Sequence, residues 1–541
     1  MKRFHLLLLS LFSGLLLSLA WPMNGFPGLL FVALVPLLVI EDHFWNRKNS
    51  RSAFALIGYV LPAFLIWNLL TTWWIVNSTL VGALVAIVLN SVFMTIIFVL
   101  FHLSRRTLTR PAQGYLALIF YWITFEFIHH HWDLNWPWLS LGNGFAAYHK
   151  WIQWYEFTGI FGGTLWVLIM NILVFFMIKA AQNKEHTKNL FFRGVIIALV
   201  IITPIITSVC IYKSWETDKG QPVDVVVVQP NLDPYSEQYE LPPLEVVDRI
   251  WNIATQKTDE LTQFVVCPES AIQEYVWEEH MNYTPSVIRF REYLQDFPNA
   301  ALIVGLSTRR MFEPGEELTP SARKFSDADM FYDAYNTAMI LDTSQQYQLY
   351  HKSKLTPGVE VMPLVRYFKF IEKLAFNLGG TVGSLGTDAE RIPFTNSEGL
   401  KVGTAVCYES VYGDFMAGYV RNGANLIFVI TNDGWWGNTP GHRQHLLFSS
   451  IRAIEMRRSI ARSANTGISC FVNKRGDIQQ ATKYWEPGVI QQEIYTGEKM
   501  TFYVIYGDYI ARISAFGTVL MLLITLMLRL KNTGRGKTRL K

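Results

Sequence analysis

The sequence is short of charge and of cysteine for its length. Only 17% of its 541 residues are Asp, Glu, Lys or Arg, whereas soluble globular proteins carry about 25%. This scarcity argues against a disordered chain, a nucleic-acid binder built on basic patches and an ordinary cytosolic enzyme. The net charge of +4 is too small to indicate a partner. Four cysteines in a chain this long exclude a disulfide framework.

Charge is missing mainly from a series of apolar blocks. A helix needs about 20 mostly apolar residues to cross the hydrocarbon core of a membrane. The blocks lie near residues 4–20, 26–40, 52–76, 80–103, 114–132, 155–178, 194–212 and 513–530. Core helices of a large soluble protein are the alternative, which blocks this long and this poor in Lys and Glu disfavour. Block 26–40 is short, so a tilted or re-entrant segment is an alternative there.

The basic loops give the orientation of these spans. Lys and Arg precede the first span, fill the loops after spans two, four and six, and recur in the tail after span eight. Because cytoplasmic loops are enriched in Lys and Arg, both termini are predicted to be cytoplasmic. The predicted domains are a seven-helix membrane domain, 1–212, an extracytoplasmic domain, 213–512, and a transmembrane helix with a basic tail, 513–541. A cleaved signal peptide is the alternative for the first span.

The long segment 213–512 alternates β-branched runs with amphipathic stretches, which predicts a layered α/β domain. The predicted strands are 223–229, 264–267, 301–307, 337–341, 402–406, 426–431 and 468–472. The predicted helices are 242–259, 285–295, 411–422 and 442–462. Segments 308–333 and 355–395 are predicted to be long loops, plausible as lids.

Three predicted strands lead to residues that could carry chemistry. Glu269 follows one strand and is placed to act as a general base, and Lys352 follows another and could stabilise an oxyanion. Cys407 follows a third, where backbone N–H groups and a helix N-terminus are expected to favour the thiolate. Singly, each residue is more simply a surface or core residue, and Lys354 competes with Lys352. Together the ordered set favours acyl transfer.

No metal or cofactor is indicated. The best cluster of ligand-type residues is the run from His129 to His131, in a Trp-rich loop of the membrane domain. We interpret it as interfacial or structural. Cys210, Cys267 and Cys470 each lie inside an apolar run, which is typical of a small buried hydrophobe.

At these residues the sequence resembles the nitrilase superfamily of carbon–nitrogen hydrolases. The matching motifs are Tyr335-Asn-Thr-Ala338, Thr431-Asn-Asp-Gly-Trp-Trp-Gly437, His445, Arg452-Ala-Ile-Glu455 and Ala464-Asn-Thr-Gly467. The resemblance implies an αββα sandwich with Glu269 as base, Lys352 as oxyanion lysine and Cys407 as nucleophile. It also implies supporting carboxylates at Glu360 and Glu409, with Tyr408 beside the nucleophile.

With about eight predicted transmembrane helices around this domain, the whole chain resembles the apolipoprotein N-acyltransferase family of the bacterial inner membrane. Trp136-Pro-Trp-Leu-Ser-Leu-Gly142 and the glycines of 159–163 add to the likeness. The resemblance implies transfer of an acyl chain from a phospholipid, typically phosphatidylethanolamine, through a Cys thioester. The acceptor would be the α-amine of S-diacylglyceryl-cysteine in apolipoproteins, the last step of lipoprotein maturation. It implies a bilayer-embedded monomer without nucleic acid or cofactor.

Two positions depart from the family pattern. Pro357-Gly-Val-Glu360 stands where the family has Pro-x-Gly-Glu, and Tyr235 stands where a Trp is frequent. Two alternatives remain open: a membrane-tethered nitrilase-type amidase that acts on a small amide, and a transporter or lipid-binding protein with an inactive enzyme domain. The eight spans argue against the first, and the intact triad argues against the second.

Overall fold

The computed structural model describes residues 1–23, 25–47, 52–108, 111–361 and 384–538. Part of the predicted loop 355–395, and the basic residues at 48, 51, 110, 539 and 541 that contribute to the orientation argument, lie outside these ranges. The chain forms two compact units. One contains Met1–Lys213 together with Asp508–Lys541, and the other contains Ser214–Gly507.

The first unit is helical. Its helices are α1 (Arg3–Leu19), α2 (Leu30–Ala33), α3 (Val35–Trp45), α4 (Ile57–Thr72), α5 (Leu80–Thr107), α6 (Pro111–Ile128), α7 (Tyr155–Gln182) and α8 (Thr187–Ser214), with Tyr509–Thr538 at the C-terminal end. Six stretches of the described chain are long and apolar enough to cross a membrane: Pro27–Trp45, Ala53–Asn77, Leu80–Thr107, Tyr155–Gln182, Thr187–Ser214 and Tyr509–Lys531. Two apolar helices are shorter, Arg3–Leu19 and Gln113–Ile128. A membrane protein is therefore confirmed, and the number of eight spans stays a prediction.

The second apolar block extends beyond its predicted end, through Glu41 and Asp42 to Trp45. These carboxylates join α3 to α5 and α7. Glu41 contacts His102 at 2.6 Å and forms an ion pair with Arg105. Asp42 lies 2.8 Å from Arg105 and 2.9 Å from Lys179. We call these five residues the helix-clamping cluster. Pairing lets the helix continue through charges that would otherwise be costly in an apolar unit.

The second unit contains two stacked β-sheets. In chain order its strands are β1 (Pro222–Gln229), β2 (Phe264–Val266), β3 (Ile272–Trp277), β4 (Ala301–Met311), β5 (Arg323–Lys324), β6 (Phe331–Leu341), β7 (Tyr347–His351), β8 (Phe394–Thr395), β9 (Lys401–Val406), β10 (Leu426–Thr431), β11 (Ile460–Ala464), β12 (Cys470–Val472), β13 (Ile478–Gln479) and β14 (Gly488–Tyr495). One sheet has the order β14-β1-β2-β4-β6-β5, with β3 on β4 and β7 on β6, and the other has β13-β12-β11-β10-β9-β8. The sheets meet through contacts such as the edge-to-face pair of Phe264 and Phe428.

Helices cover both outer faces of the sheets. They are α9 (Pro243–Ala254), α10 (Pro285–Leu294), α11 (Gly413–Arg421), α12 (Pro440–Met456) and the short α13 (Phe502–Tyr506). The apolar faces of α9 and α10 pack on the first sheet in a core that includes Val247, Phe290 and Leu302. On the second sheet, α11 packs against β9 and α12 against β12. This arrangement is the predicted αββα sandwich.

Two predicted elements are wrong in part. The predicted helix 442–462 ends at Met456, because Arg457 adopts a left-handed conformation with φ of 50°. The predicted helix overlaps the start of β11, which begins at Ile460 and pairs in parallel with β10. Segment 308–333 is not one long loop, since β4 continues to Met311 and pairs with β6 from Tyr332 onward. The continuous antiparallel pairing of β4 with β6 includes residues 308–311 and 332–333, which were predicted to lie in a loop.

Candidate active site

The three predicted site residues follow strands of both sheets and meet in one place. Glu269 follows β2, Lys352 directly follows β7, and Cys407 directly follows β9. Lys352 Nζ lies 3.0 Å from Glu269 Oε1. The charges of Glu269 and Lys352 both act on the Cys407 thiol. Three residues spread over 139 positions of the sequence therefore form one cluster.

Lys352 is held between two carboxylates. Its ammonium group also lies 2.9 Å from Glu360 Oε1, and its side chain is only 1% exposed. Burial alone would lower the pKa of Lys352, but the charges of Glu269 and Glu360 outweigh it and raise the pKa well above its usual value. The same ion pairing lowers the pKa of Glu360 against the effect of burial. Lys352 is thus a fixed cation.

Glu269 is oriented by two further donors. Asn336 Nδ2 donates to Glu269 Oε1 at 2.8 Å, and the backbone N–H of Asn432 donates to Oε2 at 3.0 Å. Asn336 also donates to Glu360 Oε1 at 2.9 Å. Sequence reasoning gave no role to Asn336, although it lies inside the motif Tyr335-Asn-Thr-Ala338. The available signal was its position in that motif, directly before the predicted strand 337–341.

Cys407 has a backbone conformation that is uncommon for a residue with a side chain. Its φ is 54°, at the point where β9 gives way to the 3₁₀-helix Cys407–Val411. Burial raises the pKa of the thiol, and the charge of Glu269 raises it further, while Lys352 partly offsets this. The expectation that the strand–helix junction favours the thiolate is therefore wrong for the resting site. The Cys407 thiol therefore lies near one carboxylate, Glu269, and one ammonium group, Lys352.

Glu409 does not contact the reacting groups but joins two site-bearing segments. Its Oε1 accepts hydrogen bonds from Tyr350 Oη at 2.7 Å and from the backbone N–H of Ser353 at 2.6 Å. Its Oε2 accepts from the backbone N–H of Val406 at 2.8 Å. The loop that carries Lys352 is thereby tied to the strand that carries Cys407. Burial raises the pKa of Glu409 to about 7, although these hydrogen bonds oppose the rise.

Tyr408 and Lys354 both contact Tyr412. Tyr408 is buried and packs edge-to-face on Tyr412. The Lys354 ammonium lies over the ring of the same Tyr412, 5.1 Å from its centre. The structure thus places Lys352, not Lys354, between the carboxylates.

His351 precedes Lys352 and is fixed from two sides. Its Nδ1 lies 2.8 Å from Asp388 and its Nε2 lies 2.9 Å from Glu278. Burial would lower the pKa of His351, but hydrogen bonds to Asp388 and Glu278 raise it to about 9. A protonated imidazole therefore anchors the end of β7, which bears Lys352.

The remaining candidates, Tyr235 and His129, have hydrogen-bond partners outside this cluster. Tyr235 is half exposed, and its hydroxyl donates to the carbonyl of Trp435 at 3.0 Å. His129 belongs to the helical unit and accepts a hydrogen bond from Trp132 Nε1 at 3.0 Å. Among the residues that the structure describes, no group of three or more His, Cys, Asp or Glu side chains is arranged to hold a metal ion.

Comparison with known proteins gives two family matches and several relatives of similar length. Residues 13–173 match the apolipoprotein N-acyltransferase N-terminal domain, and residues 225–498 match the carbon-nitrogen hydrolase family. An apolipoprotein N-acyltransferase of Chlorobaculum tepidum is 29% identical over 521 residues, which cover 93% of each chain. That of Geobacter metallireducens is 27% identical, covering 93% of this chain and 92% of the relative. A solved amidase from Nesterenkonia sp. is 16% identical and covers 55% of this chain and 98% of its own, with a TM-score of 0.36.

Proposed function

The chain belongs to the carbon–nitrogen hydrolase family and carries the N-terminal domain of apolipoprotein N-acyltransferases, and from this premise we propose that it is a bacterial membrane enzyme that acylates lipoproteins. The acyl chain comes from a membrane phospholipid and passes through a thioester on Cys407. The acceptor is the N-terminal α-amine of S-diacylglyceryl-cysteine. The single observation that carries the proposal is the Lys352 ammonium held between Glu269 and Glu360 beside that thiol.

The first half-reaction begins with proton transfer. Glu269 takes the thiol proton of Cys407 as sulfur attacks the ester carbonyl of the donor, and the carbonyl oxygen becomes an oxyanion. Lys352 stabilises this oxyanion as a preorganised cation. The intermediate then collapses, the C–O bond to the glycerol breaks, and the leaving oxygen takes the proton from Glu269. The products are a lysophospholipid and the acyl-enzyme.

The charges of the site suit this proton movement. At rest, Glu269 and Glu360 carry two negative charges and Lys352 carries one positive charge. Transfer of a proton from Cys407 to Glu269 moves a negative charge to sulfur, and then to oxygen, without changing the total. A buried site avoids the cost of creating a new net charge in a low dielectric. General-base assistance of this kind contributes about 10²–10⁴ in rate.

The second half-reaction uses the same groups in reverse. The α-amine of the acceptor attacks the thioester, Glu269 accepts a proton from the amine, and Lys352 again stabilises the oxyanion. Collapse breaks the C–S bond, Cys407 regains its proton, and the amide product leaves. Because two substrates visit one nucleophile in turn, ping-pong kinetics are expected.

The finer features of the proposal follow the sequence. The donor is the sn-1 chain of phosphatidylethanolamine, and the enzyme acts as a monomer of the inner membrane. Segment 213–512 lies on the extracytoplasmic side with both termini in the cytoplasm, as the basic loops indicate.

The experiment is direct detection of the acyl-enzyme. Purified protein is incubated with isotopically labelled phosphatidylethanolamine, and Cys407 is examined by mass spectrometry for an acyl adduct, with Cys407→Ala and Cys267→Ala as matched variants. We expect an adduct in the wild type and in Cys267→Ala, and none in Cys407→Ala. A diacylglyceryl peptide should then discharge it. No adduct on Cys407 would contradict the acyltransferase, and discharge by water alone would favour the amidase alternative.

A further inference from the structure

A second polar network, which the proposed reaction does not use, lies behind the nucleophile. Asp433 follows β10, and side-chain atoms of Arg462, Thr431 and His445 lie within hydrogen-bonding distance of its carboxylate. Arg462 Nη2 donates to its Oδ2 at 2.6 Å, Thr431 Oγ1 donates to its Oδ1 at 2.8 Å, and His445 Nδ1 lies 3.0 Å from the same Oδ1. Asp433 and Arg462 are at most 1% exposed, and His445 is fully buried. A buried charge this well paired is costly to disturb.

The network ends on the backbone of Cys407. His445 Nε2 lies 3.2 Å from the Cys407 carbonyl oxygen and 2.9 Å from Ser410 Oγ. Ser410 Oγ itself donates to that carbonyl at 2.7 Å. Because the carbonyl can only accept and the Ser410 hydroxyl proton is already used, Nε2 carries the proton and donates toward both oxygens, while Nδ1 accepts from Arg462 Nη2 at 3.0 Å. The Ser410 hydroxyl and the His445 imidazole therefore both donate to the carbonyl oxygen of Cys407.

These two hydrogen bonds act on a residue whose backbone conformation is unfavourable. A non-glycine residue in a left-handed conformation is strained and persists only where its surroundings hold it. Cys407 has a φ of 54°. The strand that supplies Arg462 and the strand that ends at Cys407 both flank β10. Rotation of this one peptide would move the thiol away from Glu269 and Lys352.

We propose that Arg462, Asp433 and His445 form a positioning relay that fixes the Cys407 peptide, with His445 as the residue that holds its carbonyl. The relay acts through Cys407 and touches neither substrate. Asp433, itself bound by Thr431, fixes the Arg462 guanidinium, Arg462 donates to Nδ1 of the imidazole, and the imidazole holds Cys407 in its reactive conformation. The inference rests on the proposed function, because it concerns the same thiol.

The test compares two histidines on one helix. His445→Leu removes the donor, His445→Gln keeps an N–H donor at a similar reach, and His442→Leu is the matched control one turn earlier, since His442 is also fully buried and stacks on Tyr484. Acylation of Cys407 is measured with p-nitrophenyl butyrate and with phosphatidylethanolamine. Alkylation of Cys407 by iodoacetamide is measured at alkaline pH, where the thiolate reacts from any orientation.

We expect His445→Leu to lower the apparent kcat of acylation by about tenfold to a hundredfold, because misplacement of a reacting group slows the reaction. The KM and the rate of Cys407 alkylation should stay within about twofold of wild type. His445→Gln should recover most of the loss, and His442→Leu should stay within about threefold of wild type. Equal damage from both leucine variants, no rescue by glutamine, or a parallel fall in alkylation would overturn the relay.

Two further comparisons keep the result interpretable. If His445→Leu does not fold, Ser410→Ala removes the other donor to the carbonyl and is expected to slow acylation severalfold, and an unchanged rate would count against the relay. If the wild type reacts with p-nitrophenyl butyrate but not with phospholipid, the lipid acyltransferase proposal fails, while the butyrate series still decides the relay.

Discussion

Each compact unit contains a buried charge cluster, and the two clusters are built differently. In the helix-clamping cluster, two carboxylates on α3 meet an Arg and a Lys, so charges balance and every pair joins two helices. In the candidate active-site cluster, one Lys is shared by two carboxylates, Glu269 and Glu360, and one negative charge is left beside a thiol. Balanced charges suit a fixed structure. An excess charge next to a proton donor suits proton transfer.

The largest effect is expected when the excess negative charge beside the thiol is removed. Glu269→Gln should slow acylation of Cys407 by about 10²–10⁴, because the base is lost, while the melting temperature changes little. Single-turnover acylation followed by mass spectrometry measures the effect. Glu292→Gln, which alters an exposed carboxylate, is the control, and acylation in Glu269→Gln within tenfold of wild type would refute the assignment of the base.

The next largest effect separates the two lysines. Lys352→Gln should reduce acylation by about 10²–10³, the usual loss when one oxyanion donor is removed. Lys354→Gln should reduce it by less than about threefold, because that ammonium lies over Tyr412. The same single-turnover assay, normalised to folded protein, ranks the two. The reverse order would transfer the role to Lys354.

The helix-clamping cluster should respond in stability and not in chemistry. Glu41→Gln leaves the Arg105 guanidinium partly unpaired in a buried setting, which costs about 3–5 kcal/mol. Tryptophan fluorescence during heating in detergent should show a clear drop in melting temperature, with acylation per folded molecule unchanged. Glu185→Gln breaks a half-exposed pair with Arg193 and should shift melting little. A lower acylation rate in folded Glu41→Gln would remove the distinction between the clusters.

The smallest effect concerns His351 and pH. Its folded pKa, about 9, lies above the usual value of 6.5, so protonation stabilises the fold. That stability is complete below about pH 6.5 and is lost as the pH rises through about 9, by about 3 kcal/mol in total. The difference in melting temperature between wild type and His351→Gln should therefore shrink from pH 6 to pH 10. A difference that stays constant would mean that His351 is neutral in the folded protein.

Sequence reasoning succeeded where local pattern and chemistry coincide. β-branched runs such as that of β10 are buried throughout, and Glu269, Lys352 and Cys407 could be selected because each follows a strand. The family resemblance supplied the sandwich and the supporting carboxylates. For these predictions, the neighbouring residues in the sequence carried enough information.

The rest depends on contacts distant in sequence. The end of α12 at Arg457 is set by a left-handed residue that no local pattern marks, so β11 was hidden in a predicted helix. The state of the Cys407 thiol depends on burial and on Glu269, 138 positions away, which outweigh the local N–H groups. Asp433 and Arg462 acquire their relation only when β10 and β11 pair side by side.

The raised pKa of the Cys407 thiol bears on how long the enzyme survives. Oxidation to sulfenic acid and exchange with disulfides both proceed through the thiolate. A nucleophile that is kept protonated until a substrate carbonyl arrives is therefore shielded from oxidants between turnovers. On the extracytoplasmic side proposed for segment 213–512, a thiolate at this partly exposed position would be open to irreversible oxidation.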